Sequence, residues 1–301
     1  MSIGFVGLGA MGSRIAGRLL SAGYRVYGTN RTAGKAVPLV ERGLHWRDTP
    51  REVAEAADVV FSMVTDDAAL RAVADGRDGI LAGLGSGKVY VDMSTVSPGA
   101  GRRLADRVHA LGAEMLEAPV SGSAPAAEAG TLVIMVGGPK DTFARLEPIL
   151  LDVGTSATWM GENGSALLMK LAVNISLAEQ MLAFSEGVLL AEQGGIDRRL
   201  AVSVLTQSAL GSPMLKSRGP LVLDLPEQAW YEVSLMRKDL RLALDAADSL
   251  DVPLPSAAVA SQLYTAAQAM GHGRRDIAVM FEVFAEMAGR KDGAVPAQGT
   301  H

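Results

Sequence analysis

The sequence predicts an α/β chain in which a doubly wound parallel sheet is followed by an all-helical half, the two joined by a long helix. Three observations carry this reading. Short apolar runs alternate with helix-spaced segments through residues 3–138, and the first run leads into a Gly-x-Gly-x-x-Gly turn. After Trp159 the strand rhythm stops and helical spacing alone continues. With 301 residues, 49% of them hydrophobic, the chain is long enough for two cores.

The first strand, 3–6, enters Gly7-Leu8-Gly9-Ala10-Met11-Gly12, and helical spacing follows through Ile15, Ala16, Leu19 and Leu20 to Gly23. In such a turn Gly7 permits the tight bend, Gly9 lets the backbone approach a pyrophosphate, and Gly12 lets helix and strand pack closely. The N–H groups and dipole at the helix start, around Ala10 and Met11, form an anion site. Flavin and methyl-donor folds share glycine-rich turns. The position of this one at the opening of a strand-helix unit favours a dinucleotide and a Rossmann-type sheet.

The second strand, 24–28, ends at Thr29-Asn30-Arg31-Thr32, where a fold preferring NAD places a carboxylate for the ribose hydroxyls. None is present there. The planar fork of Arg31 suits a 2'-phosphate, with Asn30, Thr32 and Lys35 beside it, so NADP(H) is favoured over NAD(H). The plain alternative is a solvated loop arginine. A phosphate-loop NTPase is excluded, because Gly34-Lys35 lacks the glycine five positions earlier and the following Ser or Thr.

Residues 58–64 and 89–93 are continuous apolar runs, as expected of parallel strands covered on both faces. Thr49-Pro50 and Ser97-Pro98 read as a cap and first turn of two helices. Ligands of such sheets bind at the carboxyl ends of the strands, which places Met63-Val64 and Ser94-Thr95 at that edge. Glu117-Ala-Pro-Val-Ser121-Gly122-Ser123 is a loop whose backbone N–H groups can form a nest for a carboxylate, or simply a turn; another strand follows at 130–138.

Helices are expected at 165–193, 198–209, 234–250, 256–270 and 275–288, with Asp197 as an N-cap. From Ala166 to Ala178 the first is almost wholly apolar, with Lys170 its only charge and Asn174 one turn later on the same face. That pattern predicts a helix buried all round. A desolvated ammonium has its charged form disfavoured and can exchange a proton near neutral pH; a lysine snorkelling to water is the other reading. Within 234–250 the apolar stripe is Met236, Leu240, Ala243, Ala247 and Leu250, and Lys238 lies off it as a solvated charge.

The net charge of −5 and the lack of a basic run argue against a nucleic-acid partner. Cysteine is absent and the four histidines are scattered, so neither thiol chemistry nor a metal site is expected. No basic leader and no uninterrupted apolar stretch of membrane-spanning length occur, so a cytoplasmic protein without a membrane partner is the expectation.

Four separated motifs together resemble the β-hydroxyacid dehydrogenase family, which includes 3-hydroxyisobutyrate dehydrogenase and tartronate semialdehyde reductase. Gly7 to Gly12 with Asn30-Arg31-Thr32 is similar to its NADP-binding start, and Ala118-Pro-Val-Ser121-Gly122 to its substrate loop. Gly161 to Asn174, read as Gly-x-x-Gly-x5-Lys-x3-Asn, resembles its catalytic motif, and Lys238-Asp239-Leu240 its cofactor-proximal one. The resemblance implies that Lys170 is the general acid/base and that Asn174 helps to hold substrate and lysine. It further implies that Ser121, Gly122 and Ser123 bind the substrate carboxylate, that Thr95 lies near the nicotinamide, and that Lys238 closes over the cofactor. Two positions depart from the family pattern, Glu117 for the usual Asp and Ser123 for the usual Gly.

The implied organisation is an NADP-binding domain at 1–161, a helical substrate and dimerisation domain at 162–290, and a flexible tail at 291–301. The implied reaction is reversible hydride transfer between NADP(H) and a small carboxylate-bearing 3-hydroxyacid or its semialdehyde, in a homodimer or homotetramer. An imine reductase of the same architecture and a non-catalytic NADP-binding scaffold are the alternatives.

Overall fold

The computed structural model describes residues 1–289, so the expected tail at 291–301 lies outside the described residues. Two compact units are formed, Met1–Val173 and the described residues from Asn174 onward, and the division falls within the long helix.

The first unit is built on one sheet. Its strands are β1 (Ser2–Val6), β2 (Arg25–Thr29), β3 (His45–Trp46), β4 (Val59–Ser62), β5 (Val89–Asp92), β6 (Glu114–Glu117), β7 (Val120–Ser121), β8 (Leu132–Gly137) and β9 (Gly154–Gly161). The order is β3-β2-β1-β4-β5-β6-β8-β7, with β9 beside β8. The six strands from β3 to β6 are parallel in the 3-2-1-4-5-6 order of a dinucleotide-binding sheet. Beyond them β8 runs antiparallel to β6 and β7, and β9 runs parallel to β8, so the sheet is mixed past β6. The strands β3, β6, β7 and β9 lack a sequence signal for physical reasons. Two of them are two residues long, and β9 is a polar, half-exposed strand without alternation.

Register places Phe5 opposite Phe61, and their rings stack at 6.0 Å within a core that includes Ile3, Ile15, Leu19 and Val91. The expected caps form: Thr49 accepts from Glu52 N at 3.1 Å and Ser97 from Ala100 N at 3.1 Å. Each such cap satisfies an N–H that the helix leaves orphaned.

The long helix spans Ser165–Gln193, as the sequence predicts. It is not buried all round. Ala166, Leu167, Leu171 and Ala178 are buried, whereas Leu168, Met169 and Leu190 are 41%, 43% and 78% exposed. An apolar composition on every side does not dictate which side is covered, and the neighbouring elements cover only part of this helix. Its length and mean hydropathy of 1.4 would suffice to cross a membrane, a property shared by core helices of soluble proteins.

The second unit contains the helices Arg198–Gln207, Pro213–Arg218, Val233–Asp248, Pro255–Ala267 and Met280–Met287. Asp197 caps the first of these through Leu200 N at 3.0 Å. Met236, Leu240, Ala243 and Ala247 are buried as expected, but the helix stops at Asp248 and leaves Leu250 55% exposed. The expected helix at 275–288 begins instead as a 3-10 turn, Ile277–Val279, because Asp276 accepts from Ala278 N at 3.0 Å. Asp276 is also the buried partner of Arg218, at 2.7 Å.

Candidate active site

The glycine turn has the space that a dinucleotide requires. Gly7 has φ +96°, and a Cβ there would meet the Met63 carbonyl at 2.4 Å; one on Gly12 would lie 2.0 Å from the Gly7 carbonyl. Around Gly9 a Cβ would meet nothing within 4 Å, so this backbone is open to a ligand. No side chain caps the helix Gly12–Ser21, and the positive end of its dipole suits a pyrophosphate. Ala10 is exposed and Met11 half-buried at that end.

Asn30 braces this turn from behind. Its Oδ1 accepts from Leu8 N at 3.1 Å and its Nδ2 donates to the Thr32 carbonyl at 3.1 Å. Arg31, Thr32 and Lys35 are exposed beyond the end of β2.

The neighbouring edge loops are tied together by a buried polar network that sequence reasoning missed. Ser94 Oγ donates to Asp92 Oδ1 at 2.6 Å and accepts from Val64 N at 3.0 Å. Ser62 Oγ also donates to Asp92, at 2.6 Å, and sits 2.8 Å from the Tyr90 hydroxyl. Burial pushes the Asp92 carboxyl above its ordinary range, against the lowering effect of the serine hydrogen bonds. This network ties the backbone of Val64 to Ser94, next to Met63 and Thr95. The available signal was polar residues inside the apolar runs 58–64 and 89–93.

On the other side of β6, Ser121 pairs with Val133, and Gly122 adopts φ +127° with only 2.8 Å between a built Cβ and Leu132. Ser123 precedes the helix Ala124–Ala129 without capping it through its side chain. Glu117 turns away from these residues. It is fully buried, and its Oε1 accepts from Gly164 N at 2.7 Å, Ala166 N at 2.9 Å and Leu167 N at 3.2 Å. Burial raises its carboxyl above the usual range, opposed by those three backbone donors. Lys170 is half-buried one turn further along the same helix.

In the second unit Asn174 is buried and held by groups that the sequence did not single out. Its Nδ2 donates to Asp239 Oδ2 at 2.6 Å and lies 3.2 Å from the Tyr231 hydroxyl. Tyr231 itself donates to Asp239, and burial followed by the Asp239 charge raises its hydroxyl well above the ordinary value. Lys238 Nζ is 2.8 Å from Asp239 Oδ1 and half-buried, so it is an ion-paired residue and not a solvated helix charge. In the sequence Asp239 stood only as the middle residue of the Lys238-Asp239-Leu240 motif, with no role of its own.

Comparison with known proteins matches both halves. Residues 2–161 match the NAD binding domain of 6-phosphogluconate dehydrogenase, and residues 164–284 the NAD-binding domain of NADP-dependent 3-hydroxyisobutyrate dehydrogenase. The chain belongs to the β-hydroxyacid dehydrogenase family. It is 37% identical to glyoxylate/succinic semialdehyde reductase 2 of Arabidopsis thaliana, over 94% of this chain and 79% of the relative. It is 35% identical to 2-hydroxy-3-oxopropionate reductase of Escherichia coli, over 97% of this chain and 99% of the relative. Among solved structures, 3-hydroxyisobutyrate dehydrogenase of Salmonella typhimurium superposes with a TM-score of 0.87 at 29% identity, covering 94% of this chain and 100% of that one. The protein is an NADP(H)-dependent oxidoreductase of this family, interconverting a small hydroxyacid and its semialdehyde or oxo acid.

Proposed function

We propose that Lys170 is the general acid/base of this reaction, and that Ser121, Gly122 and Ser123 hold the substrate carboxylate with Asn174 assisting. The observation that carries it is the link through Glu117, which joins the strand leading to the 121–123 loop to the first turn of the Lys170 helix. Bound NADPH supplies a hydride to the carbonyl carbon. Lys170 donates its ammonium proton to the oxygen as the C=O π bond breaks, and the neutral amine then recovers a proton from water. In oxidation the amine removes the hydroxyl proton. Backbone N–H groups at Gly122 and Ser123 suit a carboxylate, which fixes the carbonyl relative to the lysine. The fork of Arg31 supports NADP(H) in preference to NAD(H). Exposed Leu168, Met169 and Leu190 support association with further copies as a homodimer or homotetramer, which light scattering on the purified protein measures.

Replacing the lysine tests the reading directly. Lys170→Ala should lower kcat for NADPH-dependent reduction of glyoxylate by about 10²–10⁴-fold with NADPH binding retained, and exogenous methylamine should restore part of the loss. Unchanged turnover would remove Lys170 from this role. In a panel of 3-hydroxyacids, semialdehydes and cyclic imines, preferred turnover of the imines would favour the imine-reductase alternative.

A further inference from the structure

Glu117 is fully buried, and its surroundings leave room for its side chain. It is the last residue of β6, opposite Asp92 on β5 and Gly137 on β8. A Cβ on Gly137 would lie 2.5 Å from Glu117 Oε1, and one on Gly101 would lie 3.0 Å from Oε2. Neither glycine has a positive φ, so no backbone conformation demands glycine at these positions. Gly137 makes room for the carboxylate, and Gly101, where a Cβ would also lie 2.4 Å from Leu167 Cδ1, makes room for both the carboxylate and the first turn of the helix.

Within that space a single oxygen accepts from the N–H of Gly164, just before the helix, and from those of Ala166 and Leu167 in its first turn. Those donors have no partner inside the helix, and a carboxylate there also meets the positive end of the helix dipole. Ala166 lies one turn before Lys170 on the same face, so movement of the first turn carries the lysine with it. From Glu117 the chain reaches Ser121 in four residues, across Ala118, Pro119 and Val120. One side chain therefore sets the start of the lysine helix against the strand that delivers the carboxylate loop. An aspartate would fall short by one C–C bond, about 1.5 Å.

We infer that Glu117 is a positioning residue for proton transfer: its anchor on Gly164, Ala166 and Leu167 holds Lys170 in register with the 121–123 loop. This rests on the reading of Lys170 as the general acid/base. Misplacement of a reacting group by about 1 Å can cost of the order of 10²-fold in rate, whereas the glycine turn that takes the cofactor hangs on other strands.

The test compares Glu117→Gln with Thr49→Ala in the full-length protein, using NADPH and glyoxylate as probes. Thr49→Ala removes an N-cap of a helix in the same unit that carries none of the proposed catalytic residues. Glu117→Gln should lower kcat about tenfold to hundredfold, enlarge the solvent deuterium isotope effect on kcat, and leave the Kd of NADPH within about twofold. Thr49→Ala should lower Tm and leave kcat and its isotope effect unchanged. If Glu117→Gln does not fold, Glu117→Asp keeps the charge, loses the reach and should give the same split. Unchanged kcat in the folded variant, or a fall that follows only its folded fraction, would overturn the inference. Methylamine rescue of Lys170→Ala reports on the lysine separately, so rescue there beside an inert Glu117→Gln would reject the positioning role alone.

Discussion

Asn174 donates a 2.6 Å hydrogen bond to Asp239, the same carboxylate that lies 2.8 Å from the Lys238 ammonium and accepts from the Tyr231 hydroxyl. One buried acid thus orders three side chains, two of which belong to the motifs that point to the family. Asp239 is 2% exposed, so these partners stand in for the water it has lost.

Asp239→Ala should be more damaging than Tyr231→Phe. The first removes a buried acceptor that three polar groups share and should cost about 2–4 kcal/mol. The second removes one donor and should cost about 1 kcal/mol. Urea denaturation of both variants measures the difference, and equal midpoints would contradict the shared-acceptor geometry.

Arg31→Ala should weaken NADPH by about tenfold to hundredfold, the range of one charge-assisted contact, with little effect on NADH. Fluorescence titration with both nucleotides checks this. Parallel loss for the two would show that Arg31 shapes the loop without reading the 2'-phosphate.

Gly12→Ala should abolish tight NADPH binding and lower stability by about 1–3 kcal/mol, because the added methyl would approach the Gly7 carbonyl to 2.0 Å. Gly9→Ala has open space in the free protein, so its stability should hold while its cofactor affinity falls. Paired thermal denaturation and titration separate the two glycines.

The buried Asp92 carboxyl predicts a pH dependence of stability. Its folded pKa is raised above the ordinary 3.8 by desolvation, so folded protein binds that proton more tightly than unfolded chain. The associated stability is complete below 3.8 and is lost as pH rises through the folded value. The Tm of wild type minus that of Asp92→Asn should therefore be largest near about pH 4 and decrease toward neutrality. A difference that grows with pH would contradict the raised value.

The sequence alone determined the dinucleotide turn, the long helix and the Lys170-Asn174 pair, because each is written locally: glycines at fixed offsets, a long apolar run, two polar residues one turn apart. Of the parallel strands β1, β2, β4 and β5 were legible as short apolar runs, and three N-caps as Thr, Ser or Asp at the helix starts. Tertiary structure decided the rest. Glu117 reaches a helix 47 residues away, Asp239 meets Asn174 across 65, and Asp92 joins two loops through Ser94. Each depends on which elements become neighbours, and a buried carboxylate has the same letter in the sequence whether it faces a substrate, a helix end or another side chain. Burial makes each of these carboxylates require partners, and only the packed fold brings those partners within hydrogen-bond distance.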